Sequence, residues 1–427
     1  MKTTKLAAAL LAATVGLGLA ACGGAPAQNP GGDTTASGPV SITFQSLSDQ
    51  PGAIAATKEI VEAWNTANPN IKVETIQAGW DGVYDKLTTQ FSGKSAPDVI
   101  HYEAASILPF AADGYLRDLS KDISPDAKAE ISDGVWDSVT YDGQIIGVPT
   151  EMQTYVVFAN KKMLTDAGVT IPTGDSMTWE QFTQIAQQAT KGDAKGLGWG
   201  LKSPTATMMA LGPINGATFF SGEGDKVDIS VGEPEIALPK AIKGLADAGT
   251  LDKTSLTQSG GDVLKGFYAG KYAMTVQGSY QAANIAKDAP DGFEWVELPP
   301  LQGTKGTGQA ANPQTLSVNI DSKHGAEAAK FVAFFTEPDN MAKLNTADAL
   351  IPASKTAREK ILKDTGGKDG WDMTLKSGES LTSAPYLKAN SYAQWKDTVA
   401  TPSFQKYLTG EIDDAGLKSA LESGWKR

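Results

Sequence analysis

The stretch VSITFQSLSDQPGAIAATKEIVEAWNTANPNIKVETIQAGW, residues 40–80, decides the fold class. Residues 40–44 alternate apolar and polar, the two-residue period of a half-buried strand. Residues 46–52 hold Ser, Asp, Pro and Gly, the chemistry of a turn. Over 53–67, Ile54, Ile60, Val61 and Trp64 share one helical face, and Asn68-Pro69-Asn70 ends the helix. Residues 71–76 read as a second strand. Beyond Trp80 the pattern repeats, with a helix over 81–92 that turns Val83, Leu87 and Phe91 inward, then a strand over 98–102. Strands alternating with helices predict an α/β fold with a mostly parallel sheet. Ligands of such sheets sit at the carboxyl ends of the strands, here the loops 45–50, 77–81 and 102–106.

The rest of the body continues in mixed style. Residues 145–149 predict a short strand ending at the loop 150–154, and 155–159 a further strand. Thr178 and Gln181 have capping-box spacing for a helix running to about Thr190. Residues 272–276 predict a strand that ends at Gln277-Gly278-Ser279-Tyr280. Residues 325–335 predict an amphipathic helix with Ala328, Phe331, Val332 and Phe335 inward, and 413–423 another helix.

The N-terminus bounds the compartment. Lys2 and Lys5 precede an apolar run over 6–21, which ends in small residues at Cys22, the pattern of a signal peptide. The run is too short and too rich in Ala and Gly for a comfortable membrane span. Leu19-Ala20-Ala21-Cys22 resembles the bacterial lipobox, which implies cleavage before Cys22 and its lipidation. Cys22 is the single cysteine, so the chain can form no internal disulfide. Residues 23–39 carry Gly, Pro, Ser and Thr without apolar periodicity and predict a tether with a mean reach of about 20–25 Å. Loss of Lys2 and Lys5 takes the formal charge from −12 to −14. That acidity argues against nucleic acid, and against an anionic membrane surface, as partner.

Six segments in fixed order resemble the bacterial extracellular solute-binding proteins typified by the maltose-binding proteins. They are KEIVEAWNTANPNIKVET (58–75), KSAPDVIHYEA (94–104), FAADGYLRDLS (110–120), YDGQIIGVPTEMQTYVVFANKKML (141–164), FYAGKYAMTVQGSYQAANI (267–285) and SKHGAEAAKFVAFFTEPDNM (322–341), followed by Ile351-Pro352-Ala353-Ser354. The resemblance implies a two-lobed, periplasmic-binding-protein-like α/β fold of class II type with a hinged inter-lobe cleft. It places the crossings near 149–154, 311–314 and 350–354. One lobe would span 40–149 plus 312–349, the other 150–311 plus 350–427. It also implies an ABC importer, whose permease subunits read the closed form, and a monomeric protein held to the membrane through its lipid alone.

A sugar offers hydroxyl pairs to carboxylates and amides, and ring faces to flat aromatics. On that chemistry Trp80, Asp49, Gln50 and Glu103 are candidates, because each follows a predicted strand. Asp49 could instead cap the following helix, Trp80 could plug the loop beneath it, and Glu103 could be a solvated surface charge. The resemblance adds Glu151 and Gln153 in the loop after Pro149. It adds Gln277, Gly278, Ser279 and Tyr280, where Tyr280 stands in place of the family's usual Trp. Asn312 sits at a predicted crossing beside Pro313 and Gln314, and Trp371 is the C-terminal platform candidate. Trp64, Trp136, Trp179 and Trp295 are assigned to packing, Tyr102 to the core, and Trp199 to either role.

Catalytic and metal readings are thin. His101 and His324 are the two histidines, and no Cys/His metal spacing, G-x-S-x-G elbow or P-loop occurs. No cofactor is expected. A secreted glycosidase using two carboxylates such as Glu103 and Glu151 remains open, as does a binder of a polyamine or glycerol phosphate. A phosphate guest would want Arg or Lys in the predicted cleft loops, and those loops have none.

Overall fold

The computed structural model describes residues 39–222 and 226–426. The signal peptide, Cys22 and the tether through residue 38 lie outside the described residues.

Two sheets organise the body. The first has six strands in the order Ile71–Gln77, Val40–Ser46, Val99–Glu103, Gln314–Val318, Val148–Met152 and Ile351–Pro352. The opening three run parallel, and the remaining neighbours pair antiparallel. The second has four strands in the order Trp295–Leu298, Tyr155–Asn160, Tyr272–Gly278 and Lys195–Gly198, of which the last two alone pair parallel. Within these two sheets parallel pairing is therefore confined to the N-terminal three strands and to the pair Tyr272–Gly278 and Lys195–Gly198. Residues 314–318 return to the first sheet after the chain has built the second, and they enter it running the opposite way.

Helix Pro51–Ala67 and helix Gly325–Phe335 cover the first sheet. Phe44 packs edge-on against Phe331 and Phe335 with ring centroids 5.5 Å apart, and Trp64 meets Phe331 at 5.6 Å. The inward face of the first helix is Ala53, Ala56, Thr57, Ile60, Val61 and Trp64. Ile54, expected inside, is 38 % exposed. It lies one residue, or about 100°, off the stripe that Ala53 and Ala56 begin. In the second sheet's region, Thr178 and Gln181 close the predicted capping box, with bonds of 3.1 and 2.9 Å. Trp64, Trp136, Trp199 and Trp395 are buried, while Trp179 and Trp295 are half-buried against Phe182 and Phe158.

The strand beginning at Val148 runs on to Met152 within the first sheet, and the chain passes to the second sheet through Gln153 and Thr154. It comes back after Gln309–Ala310 into Gln314–Val318. Ile351–Pro352 also pairs in the first sheet, beside Met152 and Glu151. Among the described residues no helix is long and apolar enough to cross a membrane.

The aromatic cluster makes a direct prediction. Phe331→Ala removes a fully buried ring with three aromatic neighbours and should destabilise the body by about 3–5 kcal/mol. Urea unfolding followed by tryptophan fluorescence measures it, and a loss under about 1 kcal/mol would mean that the site collapses freely around the change.

Candidate functional site

A cavity of about 630 Å³ opens where the two sheets' loops meet. From the first sheet come Leu47, Asp49, Gln50 and Gly52 after strand Val40–Ser46, Trp80 after strand Ile71–Gln77, Gln314 at the start of its strand, and Ala347 to Leu350 at the end of helix Pro338–Asp348. From the second come Gln153 just before Tyr155–Asn160, and Tyr280, Ala283, Asn284 and Lys287 around helix Gln281–Asp288. Local chain chemistry builds these edges. Gly52 lets the first helix approach the end of Pro338–Asp348, since a Cβ there would lie 2.9 Å from the Ala347 carbonyl oxygen. Gly278 makes room for the Tyr280 ring, which a Cβ would meet at 2.5 Å. Ala349 closes helix Pro338–Asp348 in the left-handed region at φ 57°, an uncommon place for a non-glycine residue.

The cavity floor is organised by His101. The Leu47 backbone N–H donates to its Nδ1 at 3.1 Å, so the proton sits on Nε2, which donates to Gln314 Oε1 at 2.5 Å. Burial holds this imidazole neutral and lowers its pKa to about 4. Trp80 packs on the same group, 6.0 Å from the His101 ring and 6.0 Å from Tyr102. Beneath, Glu151 is fully buried, and neither carboxyl oxygen has a hydrogen-bond partner. Its Oε2 lies 3.7 Å from His101 Nε2. Burial first, then the charges of Asp348 and Asp49, push the Glu151 carboxyl well above the ordinary range. Burial also raises Asp348, to about 6.

Five of the twelve ligand-contact expectations line this cavity: Asp49, Gln50, Trp80, Gln153 and Tyr280. The other seven are placed elsewhere. Gln277 turns away, its Nε2 donating to Gly260 O at 3.2 Å and Thr275 Oγ1 at 2.9 Å. Gly278 is spent on the Tyr280 ring's approach and on pairing with Tyr155. Ser279 is buried, and its Oγ accepts the Thr154 N–H at 3.3 Å, which fixes the crossing. Asn312 and Glu103 bind each other at 3.1 Å, while Asn312 Oδ1 accepts the Ala105 N–H and Glu103 accepts from Ser106. Glu151 lies under the floor. Trp371 lines a hollow of about 10 Å³ that adjoins the cavity and shares Ala283 and Ala349 with it. His324, expected to be structural, stands at the start of helix Gly325–Phe335.

Three polar lining residues were missed by sequence reasoning: Asn284, Lys287 and Asp348. The first two had a signal, since they follow Tyr280 at i+4 and i+7 and so share its helical face. Asp348 had a weaker one, its place just before the predicted crossing at 350–354. Among the described residues, no cluster of His, Cys, Asp and Glu is arranged to hold a metal ion.

The raised Asp348 carboxyl has a measurable consequence. An acid whose folded pKa exceeds its unfolded value adds stability below the unfolded pKa and loses it as pH rises through the folded one, here between about 4 and about 6. Neutral, buried His101 works in the opposite sense: its contribution is present above about 6.5 and lost as pH falls through about 4. The two therefore oppose each other in wild type. Asp348→Asn isolates the first: thermal unfolding should show the variant gaining on wild type more at pH 7.5 than at pH 5.0, and an equal difference at both would contradict it.

Comparison with known proteins agrees with this architecture. The family model described as bacterial extracellular solute-binding protein matches residues 48–342. A protein of Streptomyces antibioticus, an uncharacterised lipoprotein in the oleD 5′ region, is 36 % identical over 392 residues, covering 90 % of this chain and 86 % of its own length. The diacetylchitobiose binding protein DasA of Streptomyces coelicolor is 23 % identical over 397 residues, 89 % of each chain. In fold, the cyclic alpha-maltosyl-1,6-maltose binding protein of Arthrobacter globiformis superposes with a TM-score of 0.78 at 18 % identity, over 91 % of this chain and 98 % of that one. Two sheets joined by repeated crossings, a cavity walled by both, and a family match over most of the body converge: the chain belongs to the bacterial extracellular solute-binding protein family.

Proposed function

We propose that this protein is the substrate-capture lipoprotein of an ABC importer, and that its guest is a sugar or short oligosaccharide. The observation that carries this reading is the cavity itself: Trp80 from one sheet's loops and Tyr280 from the other's, with Gln50, Gln153, Asn284, Gln314, Asp49 and Asp348 between them. Aromatic faces suit pyranose rings, and amides and carboxylates suit hydroxyl pairs. DasA and the Arthrobacter protein, named for oligosaccharide guests, support the same reading.

The lobes follow the sheets. One comprises residues 40–152 with 312–352, the other 153–311 with most of the C-terminal helices, such as Thr401–Thr409 packed on Glu233–Asp247. Divides at 152/153 and 352/353, rather than at 149/150 and 349/350, are supported by the pairing of Val148–Met152 and Ile351–Pro352 in the first sheet. A guest touching both lobes favours their closed arrangement by its differential affinity, and permease subunits would read that shape. Anchoring through Cys22 rests on the lipobox resemblance and on the name of the Streptomyces antibioticus relative.

A hydrolase built on Glu103 and Glu151 finds no support, since one is tied to Asn312 and the other is sealed beneath the floor. Incubation with oligosaccharides should leave them intact while shifting tryptophan fluorescence; released product would reverse the assignment. In a thermal-shift panel of mono- to tetrasaccharides, at least one should raise the midpoint, because a ligand binding only the folded form stabilises it. Trp80→Ala should weaken that ligand about tenfold, or about 1.4 kcal/mol, with little change in unfolding. Unaltered affinity would remove Trp80 from the contact surface.

A further inference from the structure

Two acidic side chains, Asp49 and Asp348, line the cavity from separate elements, and a third, Glu151, is buried beneath it. Asp49 follows the first strand, Asp348 ends helix Pro338–Asp348, and Glu151 sits on the strand Val148–Met152 beneath them. Among the described residues, none of the three has a Lys or Arg ion-pair partner. Lys287 lines the cavity too, but no ion pair joins it to any of them.

The placements of Asp348 and Glu151 are unfavourable by themselves. Asp348 stands at the C-terminus of an eleven-residue helix, where the carbonyl ends already concentrate negative charge. Glu151 is 0 % exposed, both its oxygens lack partners, and its ladder neighbour Gln314 lines the cavity floor. An acid buried without partners costs stability, and such arrangements concentrate at functional sites. The neighbouring N-terminus of helix Pro51–Ala67 has no side-chain cap, so its backbone N–H groups suit a sugar oxygen at that wall. The cavity is lined by two carboxylates against one ammonium, Lys287, and aromatic Trp80 and Tyr280 are available to a cation as well as to a ring face.

We infer that the guest is an amine-bearing saccharide, whose protonated amino group seats against Asp348 and Asp49 at the helix C-terminus while its ring lies along the aromatic walls. This rests on the sugar-capture reading and narrows its substrate class. A protonated amine supplies the positive charge that the protein withholds from these carboxylates, and donates to them in charge-assisted hydrogen bonds. A uronic acid or sugar phosphate would meet Asp49 and Asp348 with like charge, leaving only Lys287 in its favour.

The test uses the purified mature protein and matched oligosaccharides in calorimetry at pH 7 and low salt. Glucosamine oligomers with free amines, their N-acetylated counterparts, glucose oligomers of the same linkage and length, and uronic acid oligomers form the panel, with the maltose series and its 2-amino analogues as a second linkage. Free-amine saccharides should bind at least tenfold tighter than their neutral partners. Asp348→Asn and, as an independent variant, Asp49→Asn should each shrink that ratio about tenfold, with thermal unfolding confirming the fold. Neutral or anionic saccharides binding as tightly as the amines would overturn this inference and leave sugar capture standing. Binding of spermidine with no saccharide bound at all would overturn both.

Discussion

The pairing of Gln314–Val318 between Val99–Glu103 and Val148–Met152 is the constraint on which the rest depends. This strand is the chain's return from the second sheet, and it enters the first beside the strand by which the chain left. Two adjacent antiparallel strands thus carry traffic in both directions across the gap. A one-residue slip would turn every inward side chain outward, so burial on both faces specifies the register strongly. Gln314 is delivered by that register to His101, and its side chain reaches the cavity.

From that point the floor is a chain of dependent contacts. His101 can donate to Gln314 only because Leu47 N–H occupies its other ring nitrogen. Leu47 belongs to the loop that presents Asp49 and Gln50. Trp80 leans on His101 and Tyr102, so its orientation is set by packing rather than left to the loop. Site residues supported in this way are preorganised, which reduces the ordering cost of binding. The opposite wall has less scaffolding. Tyr280 is 37 % exposed and is positioned by the room that Gly278 leaves for its ring.

Much of the fold was legible because it is written in local periodicity. The opening strand, helix and strand, the capping box at Thr178 and the inward face of Gly325–Phe335 all follow from residues within a few positions of one another. Misreadings arose where register or distant pairing decided. Ile54 was placed inside on apolarity, yet the stripe runs through the smaller Ala53 and Ala56. Glu103, Ser279 and Gln277, at strand ends where a ligand was expected, bond protein groups instead: Asn312 and Thr154, both more than a hundred residues away, and Gly260 with Thr275.

The sequence by itself determined the α/β class, the family and the loops from which a cavity could be built, since strand–helix alternation and turn chemistry are short-range properties. It also named Trp80, Tyr280, Gln153, Gln50 and Asp49, which line the cavity. Only the tertiary structure decided that Asp348 joins them and that Glu151 lies sealed beneath. The convergence of three carboxyls from residues 49, 151 and 348 depends on where an antiparallel strand returns and a helix ends. No local pattern encodes a meeting of side chains two hundred residues apart; burial and pairing across the sheet bring it about.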